Sequence, residues 1–316
     1  MDFLRMQVLK AGVKTLIQDR GRWGHRQYGV SPAGAVDSYS QQLANLLLGN
    51  PPENATLEAA LGGLRLQALT AGCVALAGLG LRASHNGQVV VGQRALHLQA
   101  GDVLELQYTS LGARAYVAFQ GGLEVPEVLG SSSTHQNSRL GPAALEAGMV
   151  LQARSATAGS NFKRFVPVKP FPAVLSIRVL RGPEWEDLPE LQQVFRVTAQ
   201  ADRMGLRLQG DPVKLARTAE MFSVAVLPGT VQLPAGGQPL VLLSDAQTTG
   251  GYPRMFQVIQ ADLWKLGQVL PGQQLHFRVV NFMEAEQALQ AYEQKLFRLQ
   301  KALELYSRNT AAQPAG

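Results

Sequence analysis

Leu81-Arg82-Ala83-Ser84-His85-Asn86-Gly87-Gln88-Val89-Val90-Val91 reads as two short strands folded back on one another. Asn-Gly tolerates the two positive φ angles of a type I′ turn, and residues of strand type flank it. From this hairpin the pattern extends both ways. Short strands are expected at residues 6–9, 14–18, 64–69 and 74–76 before it, and at 104–106 and 115–119 after it, enough to build a barrel. One helix interrupts them. Asp37 caps it, its carboxylate accepting N–H groups at the positive helix end. The helix runs to about residue 48, turns Leu43, Leu46 and Leu47 inward, and stops at Gly49.

A seven-residue pattern recurs along the chain. Leu98-Gln99-Ala100-Gly101-Asp102-Val103-Leu104 is echoed by Leu145-Glu146-Ala147-Gly148-Met149-Val150-Leu151 and by Val269-Leu270-Pro271-Gly272-Gln273-Gln274-Leu275. Each is a glycine turn feeding an alternating strand, which common turn chemistry and internal duplication would both produce. Residues 153–172 lose the pattern and gather Ser, Gly and Pro, as a linker does. Beyond it, a strand is expected at 174–180, a helix at 184–195, and strands at 223–227, 240–243, 256–259 and 275–280.

The end of the chain differs. Asn281, with Glu284 three residues later, forms a capping box that opens a helix of about six turns. Ala285, Leu289, Tyr292, Leu296, Leu299, Leu303 and Tyr306 make a stripe at spacings of three and four. The stripe serves either packing onto the chain's own barrel or a coil between copies of the chain, a homo-oligomer. Residues after Asn309 are expected to form a disordered tail. The organisation is thus mainly β: a half at 1–155, a second at 173–282, and a helix at 283–307.

Composition narrows the class. Among 316 residues, 46% are hydrophobic and 16% charged, enough to fill real cores and too little charge for a disordered chain. The single cysteine, Cys73, sits in an apolar run and reads as a small buried hydrophobe, in keeping with a reducing, cytoplasmic compartment. No stretch is long enough to span a bilayer, and the first residues lack the basic-then-apolar pattern of a signal peptide. The net charge of +6 is scattered, with no nucleic-acid signature, so anionic small substrates or an acidic protein partner suit it better.

Familiar catalytic signatures are missing: no Gly-x-x-x-x-Gly-Lys-Ser/Thr loop, no His-Glu-x-x-His, no Gly-x-Ser-x-Gly, and no histidines at metal-ligand spacing. Polar and glycine residues concentrate instead in three segments. Gln18-Asp19-Arg20-Gly21, continuing through Gly29-Val30-Ser31-Pro32-Ala33-Gly34-Ala35-Val36-Asp37, is a shaped loop before a helix. It either points N–H groups at an anion or is a structural loop in which Asp19 and Arg20 pair with each other or with backbone. Asp202-Arg203-Met204-Gly205-Leu206-Arg207-Leu208 brings two arginines either to one carboxylate or phosphate or merely to the surface around a turn. Asp245-Ala246-Gln247-Thr248-Thr249-Gly250-Gly251-Tyr252-Pro253 follows an apolar strand with two hydroxyls, an amide, a carboxylate and two bare glycines. Such a set suits an oxyanion or amide carbonyl that must be oriented and polarised.

In this order the three segments resemble the family of the 5-oxoprolinase C subunit, also called KipA-like or allophanate hydrolase subunit 2-like, whose members share a carboxyltransferase module with urea carboxylase. The resemblance runs from about Val8 to Asn281. It also draws on Ala44-Asn45, Gly49-Asn50-Pro51, Leu57-Glu58, Ala113-Arg114-Ala115-Tyr116, Gly121-Gly122, Leu129-Gly130-Ser131 and Ser133-Thr134. In the second half it adds Arg181-Gly182-Pro183, Pro228-Gly229 and Val231-Gln232. It implies tandem cyclophilin-like β-barrel halves. It implies partners resembling the enzyme's B component (KipI-like) and its A component, with which 5-oxo-L-proline is opened to L-glutamate at the expense of ATP.

Carried onto this chain, the resemblance implies that Gln247, Thr248, Thr249, Gly250, Gly251 and Tyr252, with Gln232, line the pocket. Arg203 and Arg207 would pair with a carboxylate or phosphate. Asp202 and Asp245 would transfer protons or orient those arginines, and Gln18, Asp19 and Arg20 would approach from the first half. ATP would be shared with the partner proteins. The same module allows two alternatives. One is transfer of a carboxyl group from carboxybiotin to a urea-like amide, with biotin arriving on another protein, since no Met-Lys-Met occurs here. The other is sequestration of a kinase inhibitor resembling the B component. The chain departs from the family pattern at Ser223-Val224-Ala225, where relatives often have Ser-Glu-Gly, and at His135-Gln136-Asn137.

Overall fold

Asn86 and Gly87 take φ angles of 51° and 80°, and the hairpin they close joins residues 82–85 to 88–90. This hairpin belongs to a mainly β chain, described by a computed structural model over residues 3–154, 165–185, 193–214 and 221–311. Contacts divide the chain into two units. Unit 1 comprises Met1–Arg22, Ala33–Pro170 and Lys295–Gly316; unit 2 comprises Trp23–Pro32 and Phe171–Gln294.

Unit 1 holds β1 (Arg5–Ala11), β2 (Lys14–Gln18), α1 (Ser38–Leu48), β3 (Thr56–Ala60), β4 (Leu64–Ala68), β5 (Gly72–Ala77), β6 (Arg82–His85) and β7 (Gln88–Val90). It continues with β8 (Gln93–Leu98), β9 (Val103–Gln107), β10 (Arg114–Phe119), β11 (Val150–Gln152) and β12 (Phe165–Val166). They form two six-stranded sheets, β11-β1-β4-β9-β6-β7 and β12-β8-β5-β10-β3-β2. Met6, Leu66 and Leu104 of the first meet Leu57, Val74 and Val117 of the second in one core. The second sheet is covered on its other face too, where Ala75, Ala77, Tyr116 and Ala118 pack under Leu43 and Leu47 of α1. Double coverage explains why β10 is buried at every position. Each fully buried leucine there contributes roughly 1.5–3 kcal/mol. Cys73 joins this layer, and burial raises its thiol pKa.

Unit 2 holds β13 (Val174–Arg181), β14 (Val194–Ala201), β15 (Gly205–Gln209), β16 (Val224–Ala225), β17 (Thr230–Gln232), β18 (Leu240–Leu242), β19 (Thr249–Gly250), β20 (Arg254–Val258), α2 (Gln260–Leu266) and β21 (Gln274–Val279). Seven of these strands close a barrel in the order β13-β20-β17-β18-β15-β14-β21, and β16 pairs with β19 as a separate two-stranded ribbon. Ile177, Val197, Leu206, Leu208, Val231, Val241, Phe256 and Phe277 are buried, with Phe256 and Phe277 rings 5.4 Å apart. A barrel has no free edges, which lets its strands stay short.

The three echoed glycine turns share one geometry. Gly101, Gly148 and Gly272 have φ near 90°, and the following N–H groups of Asp102, Met149 and Gln273 donate to the carbonyls of Gln99, Glu146 and Leu270. These are turns with glycine at the position that requires positive φ. α1 is capped as expected: Asp37 accepts from the Ser40 N–H at 2.9 Å, and Gly49 closes the helix at φ 72°. The final helix, α3 (Phe282–Ala311), is longer than expected, about eight turns. Its capping box forms in both directions, Asn281 N–H to Glu284 and Glu284 N–H to the Asn281 side chain, each 2.9 Å. Ala285, Ala288 and Tyr292 pack on Ile259 and Val280 in unit 2, and Leu299 and Leu303 pack on the α1 layer in unit 1. Ala285, Tyr292, Leu299 and Leu303 of the stripe therefore pack on the chain itself. Residues 310 and 311, expected in the tail, are helical, and residues 312–316 lie outside the described residues.

Two further readings change. The expected helix at 184–195 gives way at both ends: Glu184 lies in a turn, and Val194 and Phe195 begin β14, while residues 186–192 lie outside the described residues. Phe195 and Val197 point inward with Val194 and Arg196 exposed, a period of two that only pairing with β21 and β15 makes visible. Within the expected linker, Ala153 is buried and bridged to Leu123, and Phe165–Val166 adds a strand beside β8. Strands β3, β8, β15 and β17 and helix α2 come without a strong local signal. No helix among the described residues is long and apolar enough to cross a membrane.

Candidate functional site

The polar turn after β18 owes its shape to a buried ion pair. Arg203, just before β15, donates from Nε to Asp245 Oδ2 at 2.9 Å and from Nη2 to Oδ1 at 2.7 Å. Both side chains are almost completely buried. The Asp245 N–H donates to the Arg203 carbonyl at 3.0 Å, so the two segments are joined by main chain as well. Two parallel charge-assisted bonds fix the planar guanidinium against the carboxylate far more tightly than one contact would. The neighbouring Asp202 is exposed and shapes the turn, accepting from the N–H groups of Met204 at 2.7 Å and Gly205 at 3.2 Å. Arg207 stands on the exposed face of β15, between the inward Leu206 and Leu208. Arg203 is thus held by Asp245, while Arg207 faces solvent.

From Asp245 the chain crosses to the β16–β19 ribbon. Thr249 and Gly250 pair with Ala225 and Val224, and the Val226 N–H donates to the Thr248 carbonyl at 3.0 Å. Gln247 and Thr249 are exposed and Thr248 is partly so, leaving an amide and two hydroxyls presented outward. Val224 lies directly across from Gly250.

Behind the ribbon is Gln232, completely buried on β17. Its amide nitrogen reaches toward the Tyr252 carbonyl at 3.5 Å, and its amide oxygen is buried with no hydrogen-bond partner among the described residues. Gly250 leaves room for this amide. A methyl group on the glycine would lie 2.6 Å from Gln232 Nε2. The turn thus presents an amide and two hydroxyls outward and is backed by a buried amide acceptor. Tyr252, half exposed, stands at the end of the turn.

Unit 2 also includes residues 23–32, which the sequence reading placed with the first half. Ser31 Oγ, buried, donates to the Ala246 carbonyl at 2.6 Å, and Arg26 Nη2 donates to the Val226 carbonyl. This short segment grips both sides of the polar turn. Arg26 went unassigned from sequence because its contact spans 200 residues and no local pattern marks it.

Gln18, Asp19 and Arg20 lie in unit 1. The Asp19 carboxylate accepts from the Gly21 N–H at 2.7 Å, Ser131 Oγ at 2.7 Å and the Ser132 N–H at 2.6 Å, and also from Ser133 Oγ. Gln18, fully buried, donates to the Thr134 carbonyl at 2.9 Å, and Arg20, exposed, donates to Gln42. Asp19 therefore ties β2 to the 131–134 segment rather than to Arg20. A second buried network anchors α1. Glu58 accepts from Arg114 Nε at 3.3 Å, Tyr116 Oη at 2.7 Å and the Val36 N–H at 3.0 Å. Burial, with Glu58 and Asp37 nearby, holds the Tyr116 hydroxyl well above its ordinary pKa.

Known proteins match this chain along most of its length. The family described as carboxyltransferase domain, subdomain A and B, matches residues 28–279. The C subunit of 5-oxoprolinase from Escherichia coli (strain K12) is 36% identical over 96% of the chain and 100% of its own length. That of Haemophilus influenzae is 33% identical over 89% and 93%. Among solved structures, the K. lactis urea amidolyase superposes with a TM-score of 0.84 at 26% identity, covering 95% of this chain and 20% of that much longer one.

Proposed function

The chain belongs to the carboxyltransferase-domain family that includes the 5-oxoprolinase C subunit, and from that premise we propose that it is one component of an ATP-dependent 5-oxoprolinase. With partners resembling the A and B components, it opens 5-oxo-L-proline to L-glutamate. The observation that carries the reading is the end-to-end match to the Escherichia coli protein.

The geometry of unit 2 supplies matching chemistry. A lactam carbonyl is a poor electrophile, so opening the ring needs phosphoryl activation and donors aimed at the developing oxyanion. Thr248, Thr249 and Gln247 offer those donors, Gly251 lets the ligand approach the backbone, and Gly250 makes room for the Gln232 amide that backs the turn. Asp245 and Arg203 hold the turn in place, and Tyr252 closes its end. Arg207 binds anionic groups and Asp202 shapes its turn, while Gln18 and Asp19 hold the 131–134 segment within unit 1 and leave Arg20 at the surface. The chain has no phosphate loop of the Gly-x-x-x-x-Gly-Lys-Ser/Thr kind, so ATP is shared with the partner proteins.

The test is reconstitution. The chain combined with the A and B components should release glutamate from 5-oxo-L-proline only when ATP is present. A well-assembled complex that releases none refutes the reading. The likeness to urea amidolyase favours a second reading, carboxyl transfer from a biotinylated carrier to a urea-like amide. Co-purification of such a carrier, with bicarbonate-dependent carboxylation of urea, would select it.

A further inference from the structure

We propose that Arg26 is an anion-binding residue of the unit 2 site, receiving the carboxylate or a phosphoryl group of the substrate beside the 245–251 turn. The proposal deepens the 5-oxoprolinase reading and rests on it for the identity of the ligand. Arg26 opens a single 3₁₀ turn, Arg26–Tyr28, closed by Gly29 in the left-handed region, whose N–H donates to the Arg26 carbonyl at 2.9 Å. One arm of its guanidinium, Nη2, donates to the Val226 carbonyl. The N–H of that same residue donates to the Thr248 carbonyl, so a single residue separates the guanidinium from the hydroxyl-bearing turn.

The other arm, Nη1, is buried and has no hydrogen-bond partner among the described residues. Arginine stays charged in proteins, so a buried N–H of this kind calls for an acceptor, and an anionic oxygen is the best one. Burial lowers the Arg26 pKa, the mark of a cation short of a counter-charge. Arg203 already has its carboxylate in Asp245. The division of labour is therefore clear: Arg203 holds the turn and Arg26 meets the ligand. Ser31, bonded to the Ala246 carbonyl, fixes the far end of the Arg26 segment.

The experiment measures binding by calorimetry to the full-length chain, alone and assembled with the A and B components. The probes are 5-oxo-L-proline, 2-pyrrolidone (the same lactam without its carboxylate) and inorganic phosphate. Arg26→Gln should weaken binding of at least one of the two anions tenfold or more, and leave 2-pyrrolidone unaffected. Arg26→Lys should recover part of the loss, and Arg278→Gln, an exposed arginine on β21, should change nothing. Loss confined to 5-oxo-L-proline assigns the subsite to the carboxylate; loss confined to phosphate assigns it to a phosphoryl group. Melting temperature is followed throughout. A binding loss that appears only where the fold melts, or Arg26→Gln binding both anions as tightly as wild type, overturns the proposal. So does a wild-type chain that binds neither anion in either state. If anion binding depends on Arg26 while the assembled complex releases no glutamate, the anion site stands and the 5-oxoprolinase reading falls.

Discussion

Arg203 and Asp245 lie 42 residues apart in sequence and meet side-on, both buried, through two hydrogen bonds of 2.9 and 2.7 Å. Such a pair is costly to break because the surviving charge stays buried. Asp245→Ala should destabilise the chain by about 3–5 kcal/mol, and Arg203→Ala by a comparable amount. The double replacement should cost clearly less than the sum. Urea denaturation of the three variants checks this; a strictly additive double mutant would mean the two side chains do not act as a pair.

Gly250 and Gly251 should respond differently to a methyl group. At Gly250 it would lie 2.6 Å from Gln232 Nε2, whereas at Gly251 its nearest neighbour is the Met221 carbonyl at 3.3 Å. The Gln232 amide can swing aside, so Gly250→Ala should cost only about 1 kcal/mol of stability. Displacing that amide should cost activity on the order of tenfold or more in the assembled enzyme. Kinetics beside thermal melts for both variants test the contrast.

The hydroxyls of Thr248 and Thr249 separate an enzyme from a sequestering protein. Replacing both with alanine should lower kcat by on the order of 10²-fold if they face a developing oxyanion. Capture of the proposed KipI-like partner should be unaffected. A protein that acts only by binding a kinase inhibitor would show no phenotype in either assay.

Acid should loosen unit 1 through Asp102. Its carboxylate accepts the Gln99 N–H and the Asn86 side chain and faces His85, which lowers its pKa to about 2. A depressed folded-state pKa stabilises the fold above the unfolded value of about 3.9. That contribution is lost as pH falls from there through about 2. Asp102→Asn should flatten the pH dependence of stability across that window, measurable by denaturation at a series of pH values.

The α3 cap and stripe make a further prediction. Asn281→Ala removes one half of the reciprocal cap and should cost about 1 kcal/mol. Leu303→Ala empties a buried position against α1 and should cost about 2–4 kcal/mol. A chain that gains no monomer instability from Leu303→Ala but changes its oligomeric state would place the stripe between copies instead.

What could be read early was local. The hairpin at Asn86-Gly87, the capped α1 and the Asn281–Glu284 box each depend on groups within a few residues of one another, so the chain announces them. β17 could not be read this way. It is three residues long, and its burial comes from β18 and β20, which pair with it across the barrel. The end of the expected helix at residues 194–195 misled for the same reason: so short a stretch has no decided period until β15 and β21 pair with it.

The residues by themselves determined that the chain is mainly β, where its glycine turns fall, and which family it resembles, because backbone φ demands and short-range caps are written into neighbouring side chains. Only the tertiary structure decided that Asp245 belongs to Arg203, that Asp19 is spent on the 131–134 segment, and that Arg26 and Ser31 reach residues 226 and 246. Those assignments depend on barrel closure and on which buried polar groups find partners. Both are settled by long-range packing, since a desolvated donor or acceptor must be matched wherever the fold happens to bring its complement.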